Sequence, residues 1–499
     1  MKTIRTIPSV MFSQHPDHAN RPFWHHQAFI ETHSELKESY LMYKDLGAQE
    51  IMWDWEGKLV DEAVIEKLLG KYVEFFQKNP LGRDIFLTFR VPNPRVESGY
   101  RLGRAIMVIL SAQDLALTSN LKHPPLFEVI LPMVETATEL VQINKSFQLI
   151  AEAVSDSFST DEKRHKLVEL IPLFETVPTI LKSGDIIRQY TRLAKEKLNI
   201  DIEYLRPFCA RSDPALNSGI VPTTLAIKWA LSEYAKFTTD TGIPTYPIIA
   251  PGSPHFRGGL TPSTVDEFID EFPGIRTIVI QSAFRYDFDI EDVKAGIKKI
   301  TKRLPTTKTQ ILDEQMYADI TSIIPWFEDP YKKTIKELAA SIIKISTHVP
   351  PRRERMQHVG IFGYSRSVGD DNLPRAIGFT ASCYSLGIPP ELIGTGRGIQ
   401  IARRNKKLEV VESLYKNLKP ALEAAGRYLR HESLSELGLK DVAEDVKIIE
   451  DYLGHKLGPQ TAREHEHADI VAQIVSSLGR TDDLKPQVEA AALLRRNIG

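Results

Sequence analysis

Two carboxylates are placed where they can do chemistry together. Glu175 closes the apolar run LIPLFET, and Asp213 follows the apolar PFCA in PFCARSDPALNSG. If both runs are neighbouring strands, the two side chains emerge side by side and can share a cation. Paired carboxylates with space left for water and substrate oxygens suit Mg2+ or Mn2+. The plainer use of such residues is helix capping near Thr176 or Asn217. A near copy, LPMVET, carries Glu135 and competes with Glu175 for the same role.

Anion-binding groups come next. The segment 251–264, PGSPHFRGGLTPST, holds His255, Arg257, Gly258 and Gly259. The glycines let backbone N–H groups approach an anion closely. Arg257 offers a two-pronged fork. A helix opening at Thr264 adds positive potential. His255 is of the one residue type that ordinarily titrates near neutral pH. A glycine turn that merely starts a helix would look the same. Arg90 ends IFLTFR, and His15 sits in MFSQHPDHA just before Pro16. Either can equally be a rim ion pair or a structural hydrogen bonder. His18, His25 and His26 match no zinc spacing. The basic runs RRER (352–355) and ARRNKK (402–407) read as solvated faces. Without interleaved aromatics they predict no nucleic-acid contact.

The elements that must position these groups repeat. Apolar runs rich in β-branched residues occupy 3–12, 49–53, 85–89, 127–134, 167–174, 204–210, 246–250 and 277–280, with amphipathic helical patterns between them. Val265, Phe268, Ile269 and Phe272 form one such pattern, with Thr264 and Glu267 as a capping box. Eight strands alternating with helices predict a TIM-type (β/α)8 barrel over 1–303. Just past the strand ends lie His15, Asp54, Arg90, Glu135, Glu175, Asp213, His255 with Arg257, and Gln281 with Arg285. In such a barrel these ends converge on the active face. Beyond residue 304 the strand rhythm stops. Residues 408–429 and 434–452 look helical, and 360–371 and 394–398 are Gly/Ser-rich breaks. Residues 304–499 therefore read as a mostly helical layer that packs on the barrel and completes the site.

Composition excludes several classes. The chain has 499 residues, with 63 Lys+Arg against 65 Asp+Glu, so it carries no chain-wide basic footprint for nucleic acid. Hydrophobic residues at 42% and charged residues at 26% fit an ordinary globular protein and exclude disorder as the main theme. Two distant cysteines, Cys209 and Cys383, provide no disulfide framework, which fits a reducing, cytoplasmic setting. No apolar run approaches the ~18 residues needed to span a bilayer, and the N-terminal segment lacks the apolar core of a signal peptide.

Several blocks, in order, resemble phosphoenolpyruvate carboxylase, and the chain's length resembles its shorter, archaeal-type branch. MFSQHPDHA resembles the family's histidine segment. IPLFET is similar to its metal-glutamate strand, CARSDPALNSG to its metal-aspartate block and PHFRGG to its HGRGG loop. LTFRVPN, FGYSRS with PRAIGFTASCYSLGIPPELIGTG, and the final RRNIG complete the series. The resemblance implies biotin-independent carboxylation of phosphoenolpyruvate by bicarbonate, through carboxyphosphate and an enolate, with Mg2+ or Mn2+ on Glu175 and Asp213. It implies catalytic roles for His15, His255 and Arg257. It implies substrate contacts from Arg90, Arg257, Gly258, Gly259 and Arg366, and a cytoplasmic homotetramer. Leu216 replaces the lysine of the aspartate block. No second arginine follows in the glycine loop, and none stands near Leu386; Arg211 and Arg285 are candidate replacements. Two rivals remain. One is another metal-dependent barrel lyase or aldolase of enolpyruvate chemistry; the other is a catalytically dead scaffold.

Overall fold

All eight expected strands are present, and they close on themselves. In the computed structural model, which describes residues 6–499 apart from 57, 98, 119–122, 159–167, 355–365, 369–370 and 481–482, the barrel strands are β1 (Val10–Phe12), β2 (Glu50–Asp54), β3 (Phe86–Arg90), β4 (Glu128–Leu131), β5 (Glu169–Phe174), β6 (Phe208–Ala210), β7 (Ile248–Ala250) and β8 (Thr277–Ile280). All neighbours are parallel, and β8 returns to β1 in the register Val10↔Ile278, Met11↔Val279 and Phe12↔Ile280. Several strands are shorter than their apolar runs. Pro207 and Pro247 directly precede β6 and β7, and a proline has no N–H to give to the ladder.

Alternation along each strand sorts the core into two. Met11, Met52, Ile130, Ile171, Leu173, Phe208, Ile248 and Val279 pack inside the barrel. Val10, Phe12, Ile51, Trp53 and Phe89 face outward, into the layer beneath the helices. The barrel floor is polar, which the sequence reading did not anticipate. There Arg206, fully buried, pairs with Glu50 (Nη2–Oε2 2.6 Å) and Glu128 (Nη1–Oε2 2.6 Å). It also donates to Thr277 Oγ1 at 3.1 Å.

Beyond the last barrel helix, Ile290–Arg303, a long helix Glu314–Ser346 begins at Asp313, whose carboxylate accepts from Met316 N at 2.8 Å. Each later stretch read as one helix is broken in two. Leu408–Leu414 and Leu418–Gly426 are separated ahead of Pro420, whose ring cannot continue a helix. His431–Glu436 and Lys440–Leu453 are separated at Gly438, with φ +69°. At the end of the segment 360–371, read as a Gly/Ser-rich break, and just beyond it, strands Arg366–Val368 and Asp371–Leu373 pair antiparallel. The capping box at Thr264 does not form, because its hydroxyl turns back to Gly259 O at 2.6 Å. ARRNKK is largely solvated as expected, but Arg352 and Arg353 of RRER are buried. Arg353 pairs with Glu38 at 2.8 Å instead of facing water. Cys209 and Cys383 are both buried and unbridged.

Candidate active site

At the C-terminal ends of the strands lies a cavity of about 320 Å³. His15, Arg90, Glu175, Asp213, Arg257 and Gln281 wall it from the barrel, and Arg352 and Arg375 from beyond residue 304.

The two carboxylates arrive from adjacent strands, β5 and β6, whose register includes Phe174↔Cys209. Thr176 caps the helix Val177–Leu198, its hydroxyl accepting from Thr179 N at 3.2 Å, so the cap does not use Glu175. Asp213 sits in the first turn of Ser212–Ser218. Arg90 and Arg257 act electrostatically on Glu175 and Asp213 respectively. Among the described residues no group of three or more His, Cys, Asp or Glu side chains gathers as a metal cage. Two hard oxygen donors beside open volume still fit a divalent ion that keeps other ligands. Glu135 lies elsewhere: it is exposed and pairs with Arg95 at 3.1 Å.

Arginines dominate the rest of the wall. Arg90 donates a pair of hydrogen bonds to Asp54, from Nε (2.8 Å) and Nη2 (2.6 Å), and pairs with Glu56 at 2.8 Å. It is thus a rim ion pair and a wall residue at once. Arg257 is buried. It donates to Ser212 Oγ at 3.1 Å, pairs with Asp17 at 3.3 Å, and reaches Gln281 and the backbone oxygen of Gly499. The RRNIG segment therefore docks at the barrel mouth, where Ile498 N also donates to Asp17 O at 2.8 Å. His15 Nδ1 shares a 2.8 Å hydrogen bond with Ser13 Oγ. Burial and then the Arg90 charge hold its pKa well below the usual value against the opposing charge of Asp54; Arg257 and Arg375 also lower it.

Other expected residues are placed differently. The loop 252–260 closes on itself through Gly252 N to Arg257 O (2.7 Å) and Leu260 N to Gly252 O (3.0 Å). The amides of Gly258 and Gly259 donate to His255 O and Pro254 O, so neither points at this cavity. His255 does not line it either. Its ring lies against Gly259, where a Cβ would stand 2.6 Å from Nδ1, and it borders a second cavity. Burial, with the Arg211 charge, lowers its pKa to about 4. Arg285 is structural, donating to Ser13 O and Ile280 O and pairing with Glu38. Arg211 walls both cavities. Arg366 lies on the short strand Arg366–Val368, and its side chain is outside the described residues. The sequence reading missed Asp17, Arg352 and Arg375 as site residues. Arg375 stands in the quoted block PRAIGFT, which was the available signal.

A closed parallel barrel whose mouth joins two carboxylates to several arginines is the architecture of an enzyme for a small anionic substrate. A family model described as phosphoenolpyruvate carboxylase matches residues 7–499. The chain is 38% identical over 483 residues to a phosphoenolpyruvate carboxylase of Leuconostoc mesenteroides, covering 95% of each chain. It is 39% identical over 451 residues to one of Pyrococcus horikoshii, covering 88% of this chain and 92% of that one. It is 35% identical over 525 residues to one of Metallosphaera sedula, covering 99% and 100%. The chain belongs to the phosphoenolpyruvate carboxylase family. Among solved structures, a Haloferax volcanii malate synthase aligns over 84% of this chain and 99% of that one, with a TM-score of 0.36 and 12% identity, too slight a likeness to carry an argument.

Proposed function

We propose that this chain is a carboxylating enzyme that joins bicarbonate to phosphoenolpyruvate, giving oxaloacetate and phosphate. Family membership supports the overall reaction. The meeting of Glu175, Asp213, Arg90 and Arg257 in one cavity supports the site. Phosphoenolpyruvate presents a phosphate and a carboxylate within a few bonds. Arg257 and Arg375 are the groups we assign to its oxygens, since planar guanidinium forks match both. Arg90, braced by Asp54 and Glu56, keeps the wall positive and rigid. Glu175 and Asp213 would hold Mg2+ or Mn2+, which supplies Lewis acidity toward the substrate oxygens.

The chemistry asks for charge stabilisation more than for a strong base. Bicarbonate attacks the phosphoryl group, releasing an enolate and forming carboxyphosphate, which yields CO2 and phosphate. The enolate carbon then takes CO2. Arg257, already fixed by Ser212, Asp17 and Gln281, is preorganised for charge on the moving phosphoryl group. His15, neutral and held through Nδ1 by Ser13, can accept or donate at its other nitrogen. His255 is given no step, because it borders the second cavity. Arg352 and Arg375 let the chain beyond residue 304 complete the pocket. By family resemblance we also assign a cytoplasmic homotetramer, which sedimentation and cell fractionation test.

The deciding experiment measures oxaloacetate and phosphate from phosphoenolpyruvate, with and without bicarbonate and Mg2+. Both products should require bicarbonate and the metal, with no biotin. Cleavage without bicarbonate would instead favour a lyase or aldolase. Among the described residues no helix is long and apolar enough to cross a membrane.

A further inference from the structure

Behind the glycine loop lies the second cavity, of about 230 Å³, walled in part by Arg211, Thr224, His255, Tyr415 and Asn417. By such a measure a single water needs only about 10–15 Å³. A compact polyatomic ion therefore fits.

Arg211 is 1% exposed. Its Nη1 donates to Phe256 O at 3.1 Å, and Nη2 makes a long 3.5 Å contact to Thr224 Oγ1. Its Nε is buried and has no hydrogen-bond partner. The stem of the side chain passes Gly258, and the head lies by Thr224 and Tyr415, both of which wall the second cavity. Among the described residues no carboxylate pairs with it. The carboxylates nearby are otherwise engaged. Glu271 is paired with Lys228 at 2.8 Å and accepts from Asn417 N at 2.8 Å. Glu267 stands exposed at the rim. Glu391 accepts from Phe256 N at 2.6 Å and Tyr384 OH at 2.8 Å, and burial pushes it up to about 7. Burial also lowers the pKa of Arg211, yet a guanidinium does not readily give up its proton. Tyr415 hydrogen-bonds to the guanidinium, and the Glu271 and Glu391 charges act on it without a direct ion pair. A buried guanidinium with an unpartnered Nε and no direct counter-ion is costly, and a small anion in the cavity would offset that cost.

We infer that this second cavity binds a small oxyanion, held by Arg211 with Tyr415 and His255, and that its occupancy acts on the loop carrying Arg257. The class is a compact ion with two or more acceptor oxygens, such as phosphate, bicarbonate or a small carboxylate. The link to the loop is short and runs through hydrogen bonds. Arg211 donates to the carbonyl of Phe256, and Glu391 accepts from its N–H, so both backbone polar groups of the residue before Arg257 are held by buried ionisable side chains. The inference goes beyond the proposed reaction and stands whether or not that reaction is observed.

The test is direct binding. Crystals soaked in selenate should show an anomalous peak in the second cavity beside Arg211 and Tyr415. In solution, sulfate should bind saturably to Arg90→Gln enzyme, whose substrate cavity is impaired. Ala424 also lines the second cavity; Ala424→Leu, which adds bulk to that wall, should weaken the binding more than ~10-fold, and Tyr415→Phe should weaken it several-fold. Ala424→Leu keeps the test valid should Tyr415→Phe fail to fold. Competition of selenate by inorganic phosphate, bicarbonate and acetate then separates the sources. Selenate confined to the substrate cavity, or sulfate affinity unmoved by Ala424→Leu, overturns the inference.

Discussion

Glu135 and Glu175 close nearly the same string of residues, yet only one of them walls the cavity. Met133 adopts φ +53° after β4 and redirects the chain, so Glu135 ends in a solvent-exposed pair with Arg95. Such a pair contributes about 0–1 kcal/mol. Glu135→Gln should therefore leave turnover and metal dependence essentially unchanged. Asp213→Asn should cut activity more than ~100-fold, beyond the roughly 10–100-fold losses seen for outer-shell metal partners because Asp213 would hold the metal directly, with the circular dichroism of the fold intact. Metal titration of the two variants checks both. If Glu135→Gln abolished the metal response, the pairing of Glu175 with Asp213 would be wrong. Glu391 gives a pH prediction. Burial above all raises its pKa from the ordinary 4.5 to about 7. The folded state therefore resists ionising it, and the stability it contributes below about pH 4.5 is lost as pH rises through about 7. Glu391→Gln keeps an oxygen for Phe256 N and Tyr384 OH. The stability of this variant relative to the parent should grow between those pH values by roughly 3–4 kcal/mol and then level off. Denaturant unfolding across that range measures it, and a flat difference would contradict the buried acid.

At the scale of elements, the strands were legible because alternation and spacing recur, and Pro207 and Pro247 explain the late starts of β6 and β7. The strand-end rule also found Glu175, Asp213, Arg90, Arg257 and His15. It could not find Arg352 and Arg375. Their place depends on how the chain after Glu314–Ser346 returns to the barrel, and RRER has the composition of a surface run. The rule misplaced His255 and the two glycine amides, because hydrogen bonds inside a tight loop leave no trace in residue type. The docked tail shows the same dependence on packing. A Cβ on Gly499 would stand 2.2 Å from Ile377 O and 2.5 Å from Ala381 N, so only glycine fits. Gly499→Ala should displace the tail from Arg257 and lower activity on the order of 100-fold, as a misplacement of about 1 Å can. The melting temperature should barely move. Deleting 495–499 is a poorer probe, since Arg495 is buried and bonded to His467 at 2.9 Å. Normal turnover in Gly499→Ala would show that the contact is incidental.

Across the whole molecule, the two ends of the barrel differ in their use of charge. The mouth gathers cations for a ligand, whereas the floor satisfies its charges internally. Arg206→Met leaves Glu50 and Glu128 buried without their cation, and breaking such a group costs about 3–5 kcal/mol. The melting temperature should fall by on the order of 10 °C, while turnover at low temperature persists, because the floor is at the opposite end from the cavity. Calorimetry with an assay at low temperature tests both halves. The floor also bears on how the molecule comes to exist. Glu50 precedes Arg206 by 156 positions and Glu128 precedes it by 78. During synthesis the first four strands emerge with two carboxylates aimed at one another and nothing between them. That half cannot exclude water from its own interior. Closure must wait for Arg206, and Thr277 on β8 completes its set of partners. One guanidinium thus joins the second, fourth and eighth strands in a single late event. A fragment ending after β4 should therefore stay unfolded by circular dichroism, and closure of the barrel should wait on the strands made last.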